Sequence, residues 1–308
     1  DVVINQMPYE KPLREALAQQ RETLGYLLLG CLRNSLFNFK NNARDRMRQM
    51  LPRPALAVMD NAVGEALVQK RHWYTHRRDL KAIIDEHDYF VLLAPPNRDE
   101  LHYFVGDYKP AKVIAIPNSI PQVADQLPVK EKMILHVGRI NVPQKRSDLL
   151  LDFWQQAHLE LPDWNLVIVG DGPHFQKLKD ELKQRKLPRV QLEGYQKPEP
   201  YYERAAVFMM PSAYEGFPNT LLEAQSYGCA PLVFDSYAAL SWIVEDGKDA
   251  CLIPAFDTAA MAERAMALAE SKDDLKGMQK AALENARRFT IEQVGKTWLD
   301  FFAKKMEA

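Results

Sequence analysis

In the second half of the chain, two kinds of block alternate. Short apolar runs, several closed by a glycine or a turn, read as strands of parallel type: Met133–Val137, Leu166–Val169, Val207–Met210, Ala230–Phe234 and Cys251–Ile253, and Val190–Leu192 gives a further strand before Gly194. Segments with helical spacing lie between and after them: Asp148–Gln156, His174–Arg185, Pro200–Ala205, Leu221–Tyr227, Ala238–Val244 and Thr258–Glu270. Strand and helix alternating about every 20 residues predicts an α/β domain with a doubly wound parallel sheet.

The first half is less regular. Leu27–Leu32, Tyr89–Leu93 and Lys112–Ile116 read as strands, Asn42–Met50 and Ala62–Lys70 as helices. The turn-rich PNSIP, followed by polar VADQLPVKEK, marks a linker. The expected division is 1–120, 121–290 and a last helix, 291–308, whose apolar Val294, Trp298, Phe301 and Phe302 are expected to pack back on the first domain. The chain opens at Asp1, directly in the strand-like DVVINQ, and reads as lacking an N-terminal piece.

Composition narrows the class. The chain has 308 residues, 47% hydrophobic and 26% charged, enough for two cores. A net charge of −1 gives no global signature for nucleic acid. Cys31, Cys229 and Cys251 form no CxxC and no metal-ligand spacing, which fits a reducing cytoplasm. No apolar run approaches the roughly 18 residues of a spanning helix. His72, His76, His87 and His102 show no zinc-ligand pattern. Residues 1–118 hold 17 Lys or Arg against 14 Asp or Glu, a faint bias. The basic stretch Lys40–Arg48 reads either as a solvated face or as a surface for a phosphate-rich or membrane acceptor.

Open α/β sheets bind ligands outside the carboxyl ends of their strands, and four loops there carry suggestive residues. Gly138-Arg139, with Lys145 further on, sets two cations near one strand end. They suit a diphosphate, or they are ordinary solvated charges. Gly170-Asp171-Gly172-Pro173 opens like a dinucleotide fingerprint but lacks its third glycine, so a tight turn competes with a binding role. Tyr195 either lies beside a base or packs in the core. The fourth loop lies within PSAYEGFPNTLLEAQSYG, Pro211–Gly228. A helix start after Gly216 and Pro218 offers free N–H groups to an anion. Thr220-Leu-Leu-Glu223 also matches a capping box, which would leave Glu223 serving its own backbone and Glu215 unexplained.

The ordered set IPNSI, HVGR…K, VGDGP, LEGY and PSAYEGFPNTLLEAQSYGCAPLV resembles the retaining glycosyltransferases of family 4 from about Val113 to the C-terminus. The E-x7-E pair in that context is the specific part. The resemblance implies the GT-B fold, two Rossmann-like domains facing across a cleft, the first one incomplete here. It implies that Arg139 and Lys145 neutralise a nucleoside-diphosphate sugar and that Glu223 binds the ribose. Glu215 would face the donor sugar. The backbone at Gly216, Phe217, Pro218 and Asn219 would hold sugar hydroxyls, and that at Thr220 and Leu221 the β-phosphate. Tyr195 would sit at the base, with Gly138 and Gly170 lining the site. No metal or cofactor is implied.

The family's glycine-rich first loop is not found in this sequence. Where the family often has a histidine facing the sugar, this chain has Arg33, followed by Asn34, both expected to face the cleft. The implied activity is sugar transfer to a saccharide or lipid-linked saccharide in surface polysaccharide or glycolipid synthesis. It would take place in the cytoplasm at the inner membrane face, with no nucleic-acid partner. An epimerase of related fold and a non-catalytic nucleotide-sugar binder are the alternatives. Donor turnover without an acceptor would mark the epimerase.

Overall fold

The structure is a computed structural model and describes residues 1–32, 34–40 and 43–306. The chain divides into two compact units. One comprises Asp1–Pro117 with Tyr214–Phe217 and Tyr237–Trp242; the other comprises Asn118–Ala213, Pro218–Ser236 and Ile243–Ala308.

The first unit runs β1 (Val2–Asn5), α1 (Lys11–Leu24), β2 (Leu27–Cys31), α2 (Ala43–Met50), α3 (Arg53–Met59), α4 (Ala62–Glu86), β3 (Tyr89–Leu92), α5 (Asn97–Val105) and β4 (Val113–Ala115). Its sheet is parallel, in the order β1-β2-β3-β4. Leu80, Ile83 and Ile84 of α4 pack with Phe90, Leu92, Leu101 and Phe104 in its core. His87 is a satisfied core histidine. Its Nδ1 faces the Ile83 carbonyl at 2.8 Å, so the proton sits there and Nε2 accepts from Asn5 Nδ2 at 3.2 Å.

Several elements of this unit left no periodic trace in the sequence. The only buried residue of α1 is Arg14, held by Glu86 at 2.6 Å and the Pro8 carbonyl at 3.0 Å. A helix whose buried face is one ion pair shows no apolar stripe. The helix expected to end at Lys70 continues to Glu86, where Leu80, Ile83 and Ile84 bury its far end.

The second unit runs β5 (Glu131–Val137), α6 (Val142–Lys145), α7 (Leu149–Ala157), β6 (Asn165–Val169), α8 (Phe175–Arg185), β7 (Val190–Gly194), α9 (Glu199–Arg204), β8 (Ala205–Met210), α10 (Asn219–Ser226), β9 (Ala230–Asp235), α11 (Leu240–Ile243), β10 (Cys251–Pro254), α12 (Thr258–Glu270), α13 (Lys272–Ala286) and α14 (Ile291–Met306). Every strand run predicted here forms, and so do the helices between them. The exception in extent is Ala238–Val244, which shrinks to the four residues of α11. Helix α13 has no counterpart among the segments with helical spacing. Its buried face mixes Gln279 and Asn285 with Met278 and Ala282, which blurs an apolar stripe.

The six-stranded sheet is parallel, in the order β10-β9-β8-β5-β6-β7. Renumbered from β5, this is the 3-2-1-4-5-6 order of a doubly wound sheet, and the winding reverses between β5 and β8. Leu149, Leu150, Leu151, Phe153, Leu166, Met209, Leu232 and Met261 fill its core. The predicted linker lies where the units meet in sequence. There Ile120 bridges to Thr290 within the second unit, its N–H on the Phe289 carbonyl at 2.8 Å.

Candidate functional site

A reversal point in an open sheet leaves a crevice outside the strand ends, because the flanking helices depart to opposite faces. Here that point lies beyond Val137 of β5 and Met210 of β8. A bond from the Ala213 N–H to the Gln144 carbonyl, 2.7 Å, ties the two loops together there. It fixes α6, and with it Lys145, against the loop that follows β8.

The first three loops pack by close backbone approach. Gly138 N–H bonds the Val169 carbonyl at 3.0 Å, Ile140 N–H the Asp171 carbonyl at 3.0 Å, and Gly170 N–H the Gly194 carbonyl at 2.7 Å. Gly170 has φ 140°, and a methyl there would lie 1.9 Å from the Gly138 carbonyl oxygen. Its glycine is demanded by packing, whatever else the loop contacts. A methyl at Gly172 would meet Arg139 Cγ at 3.0 Å, and one at Gly138 would lie 3.8 Å from Lys145 Cδ. The glycines therefore gather Arg139 and Lys145 at one strand end. Arg139 is exposed and has no ion pair or hydrogen bond among the described residues. Tyr195 is 85% exposed, which removes its core-packing reading.

The capping-box reading of Glu223 also fails. The helix α10 begins at Asn219 with Pro218 before it, so Thr220 is its second residue, and no side chain caps it. The Glu223 carboxylate instead accepts from the Tyr202 hydroxyl at 2.9 Å. Burial holds the Glu223 carboxyl above its ordinary range, and the Tyr202 bond and the Lys145 charge oppose that rise. At the helix start, Leu221 N–H already bonds the Pro218 carbonyl at 3.0 Å, and Leu222 N–H reaches the same oxygen at 3.3 Å. That narrows the anion donors: the Asn219 and Thr220 amides and the buried Thr220 Oγ1 have no partner among the described residues. Asn219 Oδ1 accepts from Asn118 Nδ2 at 3.1 Å.

Glu215 and Phe217 are each 6% exposed, and Gly216 and Pro218 are buried. Residues 214–217 group with the first unit, whereas Arg139, Lys145, Thr220 and Glu223 belong to the second. In the first unit, Asn34 opens onto a cavity of about 380 Å³ that Tyr9, Asn38, His72 and His76 also line. Glu100 anchors the adjoining turn, accepting from Ser35 Oγ and Leu36 N–H, each at 2.9 Å. Arg33 lies outside the described residues.

Two residues of the site went unread in the sequence. One is Tyr202, which nothing in PEPYYERA singles out. The other is His136, a polar residue inside the run MILHV, and that interruption was the available signal. Its Nδ1 faces the Met209 carbonyl on β8 at 3.1 Å. Burial pushes its pKa down to about 4, so the ring is neutral at pH 7 with its proton on Nδ1. Its buried Nε2 has no partner among the described residues.

The family match falls in this second unit. Residues 131–271 match the family Glycosyl transferases group 1. Within that glycosyl transferases group 1 segment lie β5 to β10 and every site residue named in the second unit except Asn118. The chain is 29% identical over 200 residues to the amylovoran biosynthesis glycosyltransferase AmsD of Erwinia amylovora, 64% of this chain and 55% of that protein. It is also 29% identical over 221 residues to an exopolysaccharide phosphotransferase of Streptomyces coelicolor, 70% of this chain and 23% of that protein. The chain thus spans from about a quarter to a little over half of these relatives. In fold it resembles the pneumococcal O-GlcNAc transferase GtfA, solved with UDP and GlcNAc. The TM-score is 0.73 at 18% identity, over 100% of this chain and 57% of that one. The two parallel-sheet units have the fold of GT-B glycosyltransferases.

Proposed function

We propose that the chain is a retaining glycosyltransferase that moves a sugar from a nucleoside-diphosphate sugar to an acceptor hydroxyl. The observation that carries the reading is a set of donors with no partner among the described residues, near the sheet's reversal point: the Arg139 guanidinium, the Asn219 amide, the Thr220 amide and the Thr220 hydroxyl. Lys145, on the neighbouring α6, is a second cation there. Donors without acceptors at that place suit a diphosphate. As the bond from the anomeric carbon to the diphosphate breaks, negative charge grows on the leaving oxygen. Fixed cations and helix-start amides stabilise it there without reorganising. They supply the positive charge that a divalent ion supplies elsewhere, so no metal enters this reading. The acceptor oxygen bonds the same carbon with retained configuration, and its proton leaves with the diphosphate.

Glu223, fixed by Tyr202, accepts from ribose hydroxyls, and the exposed Tyr195 ring takes the base. Glu215 orients the sugar, with the backbone of Gly216 to Asn219 on its hydroxyls. The acceptor is a saccharide or lipid-linked saccharide of a surface polysaccharide or glycolipid pathway, and the Asn34 cavity is its place in the first unit. The setting is the cytoplasmic side of the membrane. AmsD, by its name, acts in biosynthesis of amylovoran, which supports this class of product.

Calorimetric titration with nucleoside diphosphates, with and without chelator, tests the reading. Binding of one of them, insensitive to chelator and lost in Glu223→Ala, is the expected result. No binding by any of them would discard the donor site.

A further inference from the structure

The donor chemistry uses Arg139, Lys145 and Glu223 and leaves one buried polar group of the same crevice without a role. His136 interrupts the apolar run of β5, which lies between β8 and β6 in the middle of the six-stranded sheet. The residue is fully buried, and a histidine there costs desolvation that an apolar residue would not. One ring nitrogen is satisfied, since Nδ1 donates to the Met209 carbonyl at 3.1 Å. The other, Nε2, presents a lone pair that has no partner among the described residues. A buried acceptor left unpaired is destabilising, so its retention needs a reason.

Nε2 is the ring atom turned towards Gly138. The point where a methyl on Gly138 would sit lies 3.4 Å from His136 Nε2 and 3.8 Å from Lys145 Cδ, and the glycine leaves that gap open. The Lys145 ammonium lies further along its stem than Cδ, and lysine stems have wide rotamer freedom, so the ammonium can sweep across the gap. Its charge bears on two neighbours. It keeps the His136 ring from protonating, and it pulls the Glu223 carboxyl towards ionisation.

We propose that His136 is a positioning residue for Lys145: when a diphosphate occupies the crevice, Nε2 accepts one N–H of the Lys145 ammonium and phosphate oxygens take the others. An ammonium has three donors and no preferred direction of its own, so a fixed acceptor behind it aims the cation at the phosphates. Only the neutral ring does this. The Met209 carbonyl holds the proton on Nδ1, and an imidazolium would repel Lys145. The competing role, a buried acid that protonates the diphosphate, needs a charged ring, which burial and the Lys145 charge both oppose. The proposal rests on the donor reading and adds to that site a residue that touches no phosphate.

Calorimetric titration of the whole chain with ADP, GDP, UDP and dTDP in turn tests it. His136→Asn keeps an amide N–H at the place of Nδ1 and removes Nε2, whereas His136→Gln keeps a polar atom near the place of Nε2. His136→Asn should weaken binding about tenfold to a hundredfold, the range for a hydrogen bond to a charged group. His136→Gln should recover most of the affinity. In a Lys145→Ala background His136→Asn should have no further effect, since it acts through that lysine. Full affinity in His136→Asn, an equal loss in the Lys145→Ala background, or a Gln variant weaker than the Asn one would each overturn the proposal and leave the donor reading standing. If His136→Asn does not fold, His136→Gln decides alone: near-full affinity supports the proposal and a tenfold loss overturns it. No binding by the unaltered chain would discard both readings.

Discussion

At the scale of single residues, the site is a balance between groups that are satisfied and groups that are not. Arg139 has no partner among the described residues, so removing it should leave the fold intact and strike the ligand. Arg139→Ala is expected to abolish nucleoside-diphosphate binding in calorimetry and to slow transfer on the order of 100-fold or more. Unchanged affinity would show that the diphosphate lies elsewhere. Tyr202 is the opposite case. It is buried, and its hydroxyl bonds Glu223 at 2.9 Å. Tyr202→Phe should cost about 1–3 kcal/mol in urea denaturation and also weaken nucleotide affinity. Loss of stability with full affinity would mean that Glu223 does not touch the ligand. At this scale the sequence was readable where a residue type is rare in its setting, as with two glutamates around a turn. Tyr202 was unreadable because its role depends on a partner 21 positions away.

At the scale of elements, α10 shows how a local pattern can mislead. Thr220 and Glu223 have the spacing of a capping box, but Pro218 moves the helix start so that Thr220 sits inside the first turn. Its hydroxyl is then buried without a partner among the described residues. Thr220→Val should therefore leave the melting temperature unchanged or slightly raised while nucleotide affinity falls. A variant with lower stability and normal affinity would restore a structural role to that hydroxyl. The loop of Gly170 behaves differently. Gly170→Ala forces a side chain onto φ 140° and into the Gly138 carbonyl, so the melting temperature should drop by several degrees even without ligand. The inner strands of the second unit were legible because both of their faces are buried, giving apolar runs that only His136 interrupts, whereas the edge strand β7 is half-exposed and carries Gln191. Helices α1 and α3 were not, since one buries a lone arginine and the other nothing.

At the scale of the whole molecule, buried histidines link stability to pH. Burial pushes His136 and His76 down to about 4, and lowers His87 as well. Between about 4 and the unperturbed 6.5 the folded chain then binds fewer protons than the unfolded one. Their contribution is complete above 6.5 and is lost as pH falls from there towards 4, for His136 on the order of 3 kcal/mol. Urea denaturation at pH about 7.5 and about 5 should show the decline, and His136→Gln should flatten part of it. An unchanged slope in that variant would remove His136 from the account.

The strand order also carries a consequence in time. β5 leaves the ribosome before the other five strands of its sheet, yet it ends in the middle. β6 and β7 follow and cover one flank. The other flank must wait for β8, which starts at Ala205. Throughout that interval the nascent chain presents an open, apolar ladder edge of the kind that recruits foreign strands. Chaperone attention during synthesis should therefore concentrate on Met133–Val137. A chain terminated between β7 and β8 would be left with three sticky strands and half a reversal point, able to aggregate but not to hold a ligand.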